Sequence, residues 1–541
     1  MITSDKVSAE KLRGGFYTPA GLVKVCLDRI QSLTLDDLPL RFLEPSAGDG
    51  AFIEGLSAHA LRDRVKSVTA VELDEAEAQS CSSRLASTEF GGEVVAASVL
   101  EWAEATSEQY DVAVGNPPFV RFQFVSEADR QRASAILARA GVVATSVSNL
   151  WLSVFISALK KLVPGGTFAF ILPAEALMGV SAQGVRAWLL RECAHVNLDL
   201  FPPDSYPSVL QEVVVLSGRL KASGAAPTRE LRVREHLEAH KVDWTHVANE
   251  RAQTWTRYLL SPEQVSALEV ATSLPEVVPL RTTAAFSVST VTGANDYFCA
   301  STEEVAYYGL EDWATPLLPR TRHAPGLDFT LEEHGSLSES SVNAWLVHFA
   351  ADKPDPRRRA KAARFIQNGE DQGLDKRYKC RIREPWFRVP VVTPGALMMA
   401  KRSHSYPRVV MNSASVVTTD TIYRGLPTPG SPLSPRGIAT TFHNSLTLLT
   451  AEIEGRSFGG GVLELVPSEV SRLSIPVSPG IEEHFESLDT IARSVTSPDD
   501  QSVVDATDQI LISRIPALDA DVMASLRSSR LELLARRRNR N

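Results

Sequence analysis

Cysteine is scarce in this sequence. The five present (Cys26, Cys81, Cys193, Cys299 and Cys380) stand far apart and form no CxxC pair. That argues against a zinc site or a disulfide framework, and it suits a reducing, cytoplasmic setting. No metal site is expected. Long apolar runs are missing too: no stretch is long enough to span a membrane, and Met1 to Lys6 lacks the apolar core of a secretion signal. There is no GxxxxGK(S/T) phosphate loop, no repeat of solenoid period and no long low-complexity segment. Chain length is ample. The 541 residues exceed one hydrophobic core and imply two or three domains.

Positive charge is in deficit overall, with a net charge of −9. Taken alone, that would weigh against a nucleic-acid partner. The distribution reverses the inference, because Lys353 to Arg408 holds about fifteen Lys or Arg against about five Asp or Glu. A basic footprint on an acidic body remains compatible with phosphate binding.

The most informative stretch is Val112-Ala113-Val114-Gly115-Asn116-Pro117-Pro118-Phe119. Its dense valines predict a buried parallel strand, which the two prolines stop. Such a strand delivers Asn116 and Phe119 to its carboxyl end, where open α/β sheets bind their ligands. An Asn oxygen and a proline-stiffened carbonyl can accept from one exocyclic amino group, and a Phe ring offers a stacking face. An ordinary strand exit would look the same, so the neighbouring motifs must decide.

Residues 8–33 read as a loop, Gly14 to Pro19, and an amphipathic helix for which Thr18 and Pro19 are the expected N-cap and first-turn pair. Arg41 to Ile53 reads as a strand, a small-residue loop (Glu44-Pro45-Ser46-Ala47-Gly48-Asp49-Gly50) and a helix. The loop's glycines allow close backbone approach to a ligand, though it is not a full GxGxxG. A second strand, Val68 to Asp74, ends in acids suited to ribose hydroxyls. Residues 94–100 read as a third strand and 112–119 as a fourth. Helices are expected at 127–141, 149–162 and 183–193, with strands at 167–173, 195–201 and 213–216. This alternation predicts an α/β, doubly wound sheet. A linker is expected at 221–227, then an irregular, β-rich region to 480. The chain then looks helical and ends in a basic tail (Arg536, Arg537, Arg538, Arg540) expected to be solvated.

In this order, Tyr-Thr-Pro, Pro-Ser-Ala-Gly-Asp-Gly, Val-Glu-Leu-Asp and Asn-Pro-Pro-Phe resemble the gamma class of S-adenosylmethionine-dependent DNA adenine-N6 methyltransferases of restriction-modification systems. The resemblance covers residues 14–220, with weaker likeness at 285–300, 380–425 and 442–475 to their DNA-recognition domain. It implies a Rossmann-like, seven-stranded methyltransferase domain (1–220), a mixed, β-rich target-recognition domain (221–480) and a C-terminal helical segment with a basic tail (481–541). It implies S-adenosyl-L-methionine as cofactor, bordered by Tyr17, Thr18, Pro19, Glu44, Pro45, Ser46, Ala47, Gly48 and Gly50, with Glu72 on the ribose and Leu73 against the adenine ring. Ser98 is also implied as cofactor-binding: it stands where family members usually carry an acid for the cofactor's adenine amino group, so that a backbone group or a water would serve in place of the acid here.

The resemblance further implies methyl transfer to the amino group of an adenine flipped out of double-stranded DNA. Asn116, Pro117, Pro118 and Phe119 would be catalytic, and Phe119 would stack on the base. Tyr206, followed by Pro207, is the choice for a second stacking ring, with Phe201-Pro202 in reserve. Arg377, Lys379, Arg381, Arg383, Lys401 and Arg402 are the phosphate candidates. Asn-Pro-Pro-aromatic motifs also occur in RNA guanine-N2 and protein glutamine-N5 methyltransferases, and a non-catalytic DNA-binding specificity protein is a further alternative. The chain begins almost at the cofactor loop and carries no PD…(D/E)xK cluster. Any restriction endonuclease or defence-system partner is therefore expected to be separately encoded.

Overall fold

The computed structural model describes residues 18–142, 149–202, 213–227, 229–236, 241–458 and 460–539. The chain divides into two compact units, Met1–Pro262 and Glu263–Asn541. The first therefore runs well past the boundary expected near 220, and the segment from 481 belongs to the second.

The first unit is built on one mixed sheet. Its strands are β1 (Leu40–Glu44), β2 (Val65–Glu72), β3 (Gly91–Ala96), β4 (Tyr110–Gly115), β5 (Leu162–Pro173), β6 (Cys193–Leu200), β7 (Val213–Leu220), β8 (Glu230–His236) and β9 (Lys241–Val247). They lie in the order β3-β2-β1-β4-β5-β7-β6-β8-β9. The β1–β2, β2–β3, β1–β4 and β4–β5 pairs are parallel, and β7 runs antiparallel between β5 and β6. The expectation of seven strands is corrected to nine in this sheet. The two extra strands form the β8–β9 hairpin, in which Leu231 and Val233 are buried while Arg232 and Asp243 pair across the strands at 2.6 Å.

Chain order reverses at β1: β2 and β3 build outward on one side, and β4 returns to the other. A crevice opens at such a switch point, outside the carboxyl ends of the two strands. Helices flank the sheet because apolar residues recur at helical spacing. In α1 (Ala20–Leu33), Leu22, Val23, Cys26, Leu27 and Ile30 are buried. α2 (Ala51–Ser57) buries Phe52, Ile53 and Leu56, and α3 (Glu75–Ala86) follows β2.

Two local expectations change. The third strand ends at Ala96 rather than near 100, because Ser98 is the N-cap of α4 (Val99–Ala105). An apolar run that looks continuous in sequence is thus split between a strand and a helix. α1 begins at Ala20 with Pro19 as N-cap and no side-chain cap, so Thr18 is released from that role. Downstream, α5 (Glu127–Arg139), α6 (Trp151–Leu159) and α7 (Gln183–Glu192) lie within the spans expected for them.

The second unit combines small sheets with helices. Ala284–Ser287, Ile422–Pro427, Leu397–Ala400 and Val409–Met411 form a four-stranded antiparallel sheet. An aromatic-rich core gathers Phe298, Trp313, Phe349, Phe365, Trp386 and Phe387. The chain then forms α8 (Ser445–Glu454), α9 (Phe485–Ser494), α10 (Ser502–Arg514) and α11 (Ala520–Arg538).

The basic tail is not solvated along its described length. Helical phase turns Arg537 inward, where its side chain is 4% exposed and meets the 5% exposed Glu452 at 2.7 and 2.8 Å. The guanidinium also donates to the carbonyls of His404 and Ser405. Removing one member strands the other charge in a dry site, at a cost of about 3–5 kcal/mol. Arg537→Ala should therefore lower the stability of the unit in chemical denaturation by that amount. Arg537→Lys should recover little, because an ammonium cannot bridge both carboxylate oxygens. Unchanged stability in Arg537→Ala would refute the buried pair.

Candidate active site

The loop after β1 is pinned at several points. The Ala47 amide donates to the Val71 carbonyl at 3.1 Å, and the Gly48 amide donates to Glu72 Oε2 at 2.8 Å. Gly48 and Gly50 sit at φ +53° and +92°, a left-handed backbone that disfavours side chains. A Cβ on Gly50 would also lie 3.2 Å from the Cys81 sulfur. The other Glu72 oxygen accepts the Asp74 amide at 2.9 Å, and Asp74 in turn caps α3. Glu72 thus holds two turns together while keeping lone pairs for other donors. Between Glu72 and Asp74, Leu73 is 71% exposed, a large apolar side chain left uncovered beside this loop.

Glu44 closes β1 and is 2% exposed, and its Oε2 has no hydrogen-bond partner among the described residues. Burial, then the nearby Glu72 and Asp49 carboxylates, hold its proton well above the ordinary carboxylate range. A buried acidic oxygen without a donor favours a ligand that brings a cation or an N–H.

Across the switch point stands the end of β4. The Ser46 hydroxyl donates to the Asn116 carbonyl at 3.2 Å and ties the two strand ends together. The Asn116 side-chain amide donates to Thr18 Oγ1 at 3.3 Å, which orients the group, and its Oδ1 is buried with no partner among the described residues. Pro117 is buried, and Pro118 and Phe119 are half-buried, with the Phe119 ring packed against the core of the unit. Residues nearly a hundred positions apart, Thr18 and Asn116, therefore fix one acceptor atom that meets no donor among the described residues.

Ser98 lies beyond β3. Its hydroxyl faces Asp129 Oδ1 at 3.4 Å, and the other Asp129 oxygen accepts from the Ser126 hydroxyl at 2.8 Å. Sequence reasoning missed Asp129. Its signal was local: Ser126 caps α5 and Asp129 is the third residue of that helix, a position whose side chain turns back toward the cap.

The remaining candidates separate into groups. Tyr17 and Tyr206, with Pro207, lie outside the described residues. Phe201 is stacked on His236, with ring centres 5.0 Å apart and planes at 14°, so one of its faces is covered. Against the expectation of phosphate contact, Arg383 is turned to the protein and donates to the Val291 and Thr292 carbonyls at 2.6 and 2.8 Å. Lys401 and Arg402 both pair with Glu464. Arg377, Lys379 and Arg381 are exposed.

Known proteins resemble this chain over both units. Residues 64–205 match the family described as Eco57I restriction-modification methylase, and residues 252–512 match the C-terminal domain of the Type II methyltransferase M.Eco57I. The Type II methyltransferase M.XamI of Xanthomonas campestris pv. amaranthicola is 23% identical over 471 residues, 86% of this chain and 85% of that one. M.AccI of Acinetobacter calcoaceticus is 20% identical over 381 residues, 67% of this chain and 68% of that one. Among solved structures, the chain of a DrdV–DNA complex shares the fold at a TM-score of 0.50 and 11% identity. That match covers 90% of this chain and 58% of the other. Together the family and relative matches support a methyltransferase of restriction-modification type. No helix among the described residues is long and apolar enough to cross a membrane.

Glu44 yields a prediction whose sign follows from its raised proton affinity. The native state holds the proton more tightly than the unfolded chain, so this contribution to stability is present below the ordinary value of 4.5 and is lost as pH rises above it. Glu44→Gln should therefore melt at a higher temperature than wild type at pH 8, with the gap closing near pH 4. Identical melting curves at pH 8 would mean that Glu44 already has a partner.

Proposed function

We propose that this protein transfers a methyl group from S-adenosyl-L-methionine to the N6 amino group of an adenine flipped out of double-stranded DNA, as the modification enzyme of a restriction-modification or defence system. The observation that carries the reading is the buried and oriented Oδ1 of Asn116 at the carboxyl end of β4, which has no partner among the described residues. The matches to restriction-modification methylases support it, and the similarly folded DrdV chain was determined with DNA.

The residues present fit the cofactor. The Glu44 carboxylate would receive its ammonium, and the loop Pro45 to Gly50 would lie against its amino-acid part, bordered by Thr18 and Pro19. The free lone pairs of Glu72 would accept from the ribose hydroxyls, and the exposed Leu73 would cover one adenine face. Asp129, beside Ser98, supplies the carboxylate that the third strand lacks for the adenine amino group. The cofactor would contribute a methyl group on a sulfonium centre that departs as a neutral thioether.

The work of the protein is positioning and polarisation. The target amino nitrogen is a poor nucleophile because its lone pair is delocalised into the purine ring. Asn116 Oδ1 and the Pro117 carbonyl would accept its two N–H groups and draw the nitrogen toward tetrahedral geometry. That localises the lone pair for direct attack, with no covalent enzyme intermediate. Phe119 would stack on the extruded base and offset part of the unstacking cost of a few kcal/mol. Tyr206 is the proposed second ring. Arg377, Lys379 and Arg381 are the proposed phosphate contacts of the second unit. A separately encoded restriction endonuclease is the proposed cutting partner.

Incubation of the purified protein with labelled cofactor and varied duplexes should yield N6-methyladenine in digested DNA. Label found only in RNA, in protein or on cytosine would overturn the proposal. Asn116→Ala should lower the turnover rate by at least about a hundredfold, the usual consequence of losing one charge-stabilising contact. Binding of S-adenosylhomocysteine, followed by calorimetry, should remain near wild type. Asp129→Ala should weaken that binding about tenfold, as expected when a hydrogen bond to a charged acceptor is lost. Full turnover by Asn116→Ala would remove the central assignment.

A further inference from the structure

Among the candidate cations of the second unit, those between Lys376 and Arg381 surround two side chains of a different kind. Tyr378 is 64% exposed and Ile382 is 63% exposed. The two are four residues apart, the separation that puts side chains on one side of a helical turn, and the segment Tyr378–Arg381 is such a turn. Lys379 Nζ and the Arg381 guanidinium carbon each lie 5.7 Å from the centre of the Tyr378 ring. Lys376, Arg377, Lys379 and Arg381 pair with no carboxylate among the described residues, whereas Arg383, Lys401 and Arg402 are all engaged.

The base of this knuckle is fixed. Cys380 is fully buried with its sulfur toward the Thr292 carbonyl, and Arg383 clamps the carbonyls of Val291 and Thr292. Next to them Gly293 sits at φ +80°, where an added Cβ would lie 2.8 Å from Lys379 Cβ. The exposed ring is therefore carried on a packed support. A surface built only to hold phosphates needs cations alone, because phosphate contacts are electrostatic. An exposed Tyr and Ile among them add a flat apolar surface suited to the face of a base.

We infer that Tyr378 and Ile382 form an apolar wedge that enters between stacked bases of duplex DNA while Lys379 and Arg381 hold the flanking phosphates. The inference rests on the DNA methyltransferase reading and adds to it a means of distorting the duplex. Wedges of this kind partly unstack a base step and kink the helix. A step that is already weakened should accept the wedge more readily than a paired one.

The test uses the full chain and fluorescein-labelled 30-base-pair duplexes of mixed sequence, fully paired or with one central mismatch, read by anisotropy over a salt series. Wild type should bind the mismatched duplex several-fold more tightly. Tyr378→Ala should weaken binding to both duplexes about tenfold, the size of one base–aromatic stack, and erase the mismatch preference while leaving the salt slope unchanged. Tyr378→Phe should behave as wild type. Lys379→Ala combined with Arg381→Ala should keep the preference and flatten the slope by about two, since each phosphate contact contributes about 0.9. Tyr378 is exposed, so its variants should melt as wild type does. If wild type binds DNA and Tyr378→Ala binds each duplex as tightly as wild type does, with the mismatch preference intact, the wedge is refuted. If wild type binds no duplex at all, the DNA reading itself fails.

Discussion

The reversal of strand order at β1 is the constraint on which the rest of the first unit depends. Two parallel strands whose connections leave in opposite directions cannot cover the space beyond their carboxyl ends, so that space is left for a ligand. The chain lines it with short loops rather than helices, because both strand ends are followed by residues that interrupt regular structure: Pro45 and two positive-φ glycines after β1, two prolines after β4. The ties across the gap are few and specific. Ser46 reaches the Asn116 carbonyl, and Thr18 reaches the Asn116 side chain. Each leaves one atom of its partner residue committed and another open.

That pattern explains why the candidate residues at the strand ends can be picked out in the sequence while the contacts that tie them cannot. A valine-dense strand that stops at Asn-Pro-Pro and a small-residue loop after another strand are local signals, and strand ends meet where the topology brings them. The Thr18 contact was misread because a Thr-Pro pair before a helix usually marks a cap, and nothing local reveals an acceptor 98 residues away. Asp129 was hidden for a similar reason. It reads as a capping residue of α5, and only the fold brings it to Ser98.

Fold-level errors have a common physical origin in polar side chains that find each other. Glu230–His236 and Lys241–Val247 fall in a stretch whose short apolar runs and many Arg and aromatic residues suggest the opening of an irregular, β-rich domain. Paired edge to edge, they satisfy one another through Arg232 and Asp243 and extend the sheet to nine strands. In the C-terminal arginine run, composition favours solvation, yet helical phase selects one member to meet Glu452. In both cases burial and pairing belong to geometry, and the sequence offers the charges without their partners.

Committed and uncommitted polar groups therefore divide the molecule more usefully than charge itself does. Arg537, Arg383 and Arg402 are spent on internal contacts, so counting them toward a nucleic-acid surface overstates it. The exposed cations flanking Tyr378 and the open acceptors of Glu44 and Asn116 are the opposite case. A buried acceptor with no donor costs about 1–3 kcal/mol, and an exposed ring forgoes the gain from burying it. Folding alone gives no reason to keep either. Under the proposed function, each is satisfied only when its ligand arrives: the ammonium at Glu44, the target amino group at Asn116 and a base at Tyr378. Acceptors that meet no donor among the described residues of the free protein then become binding energy in the complex.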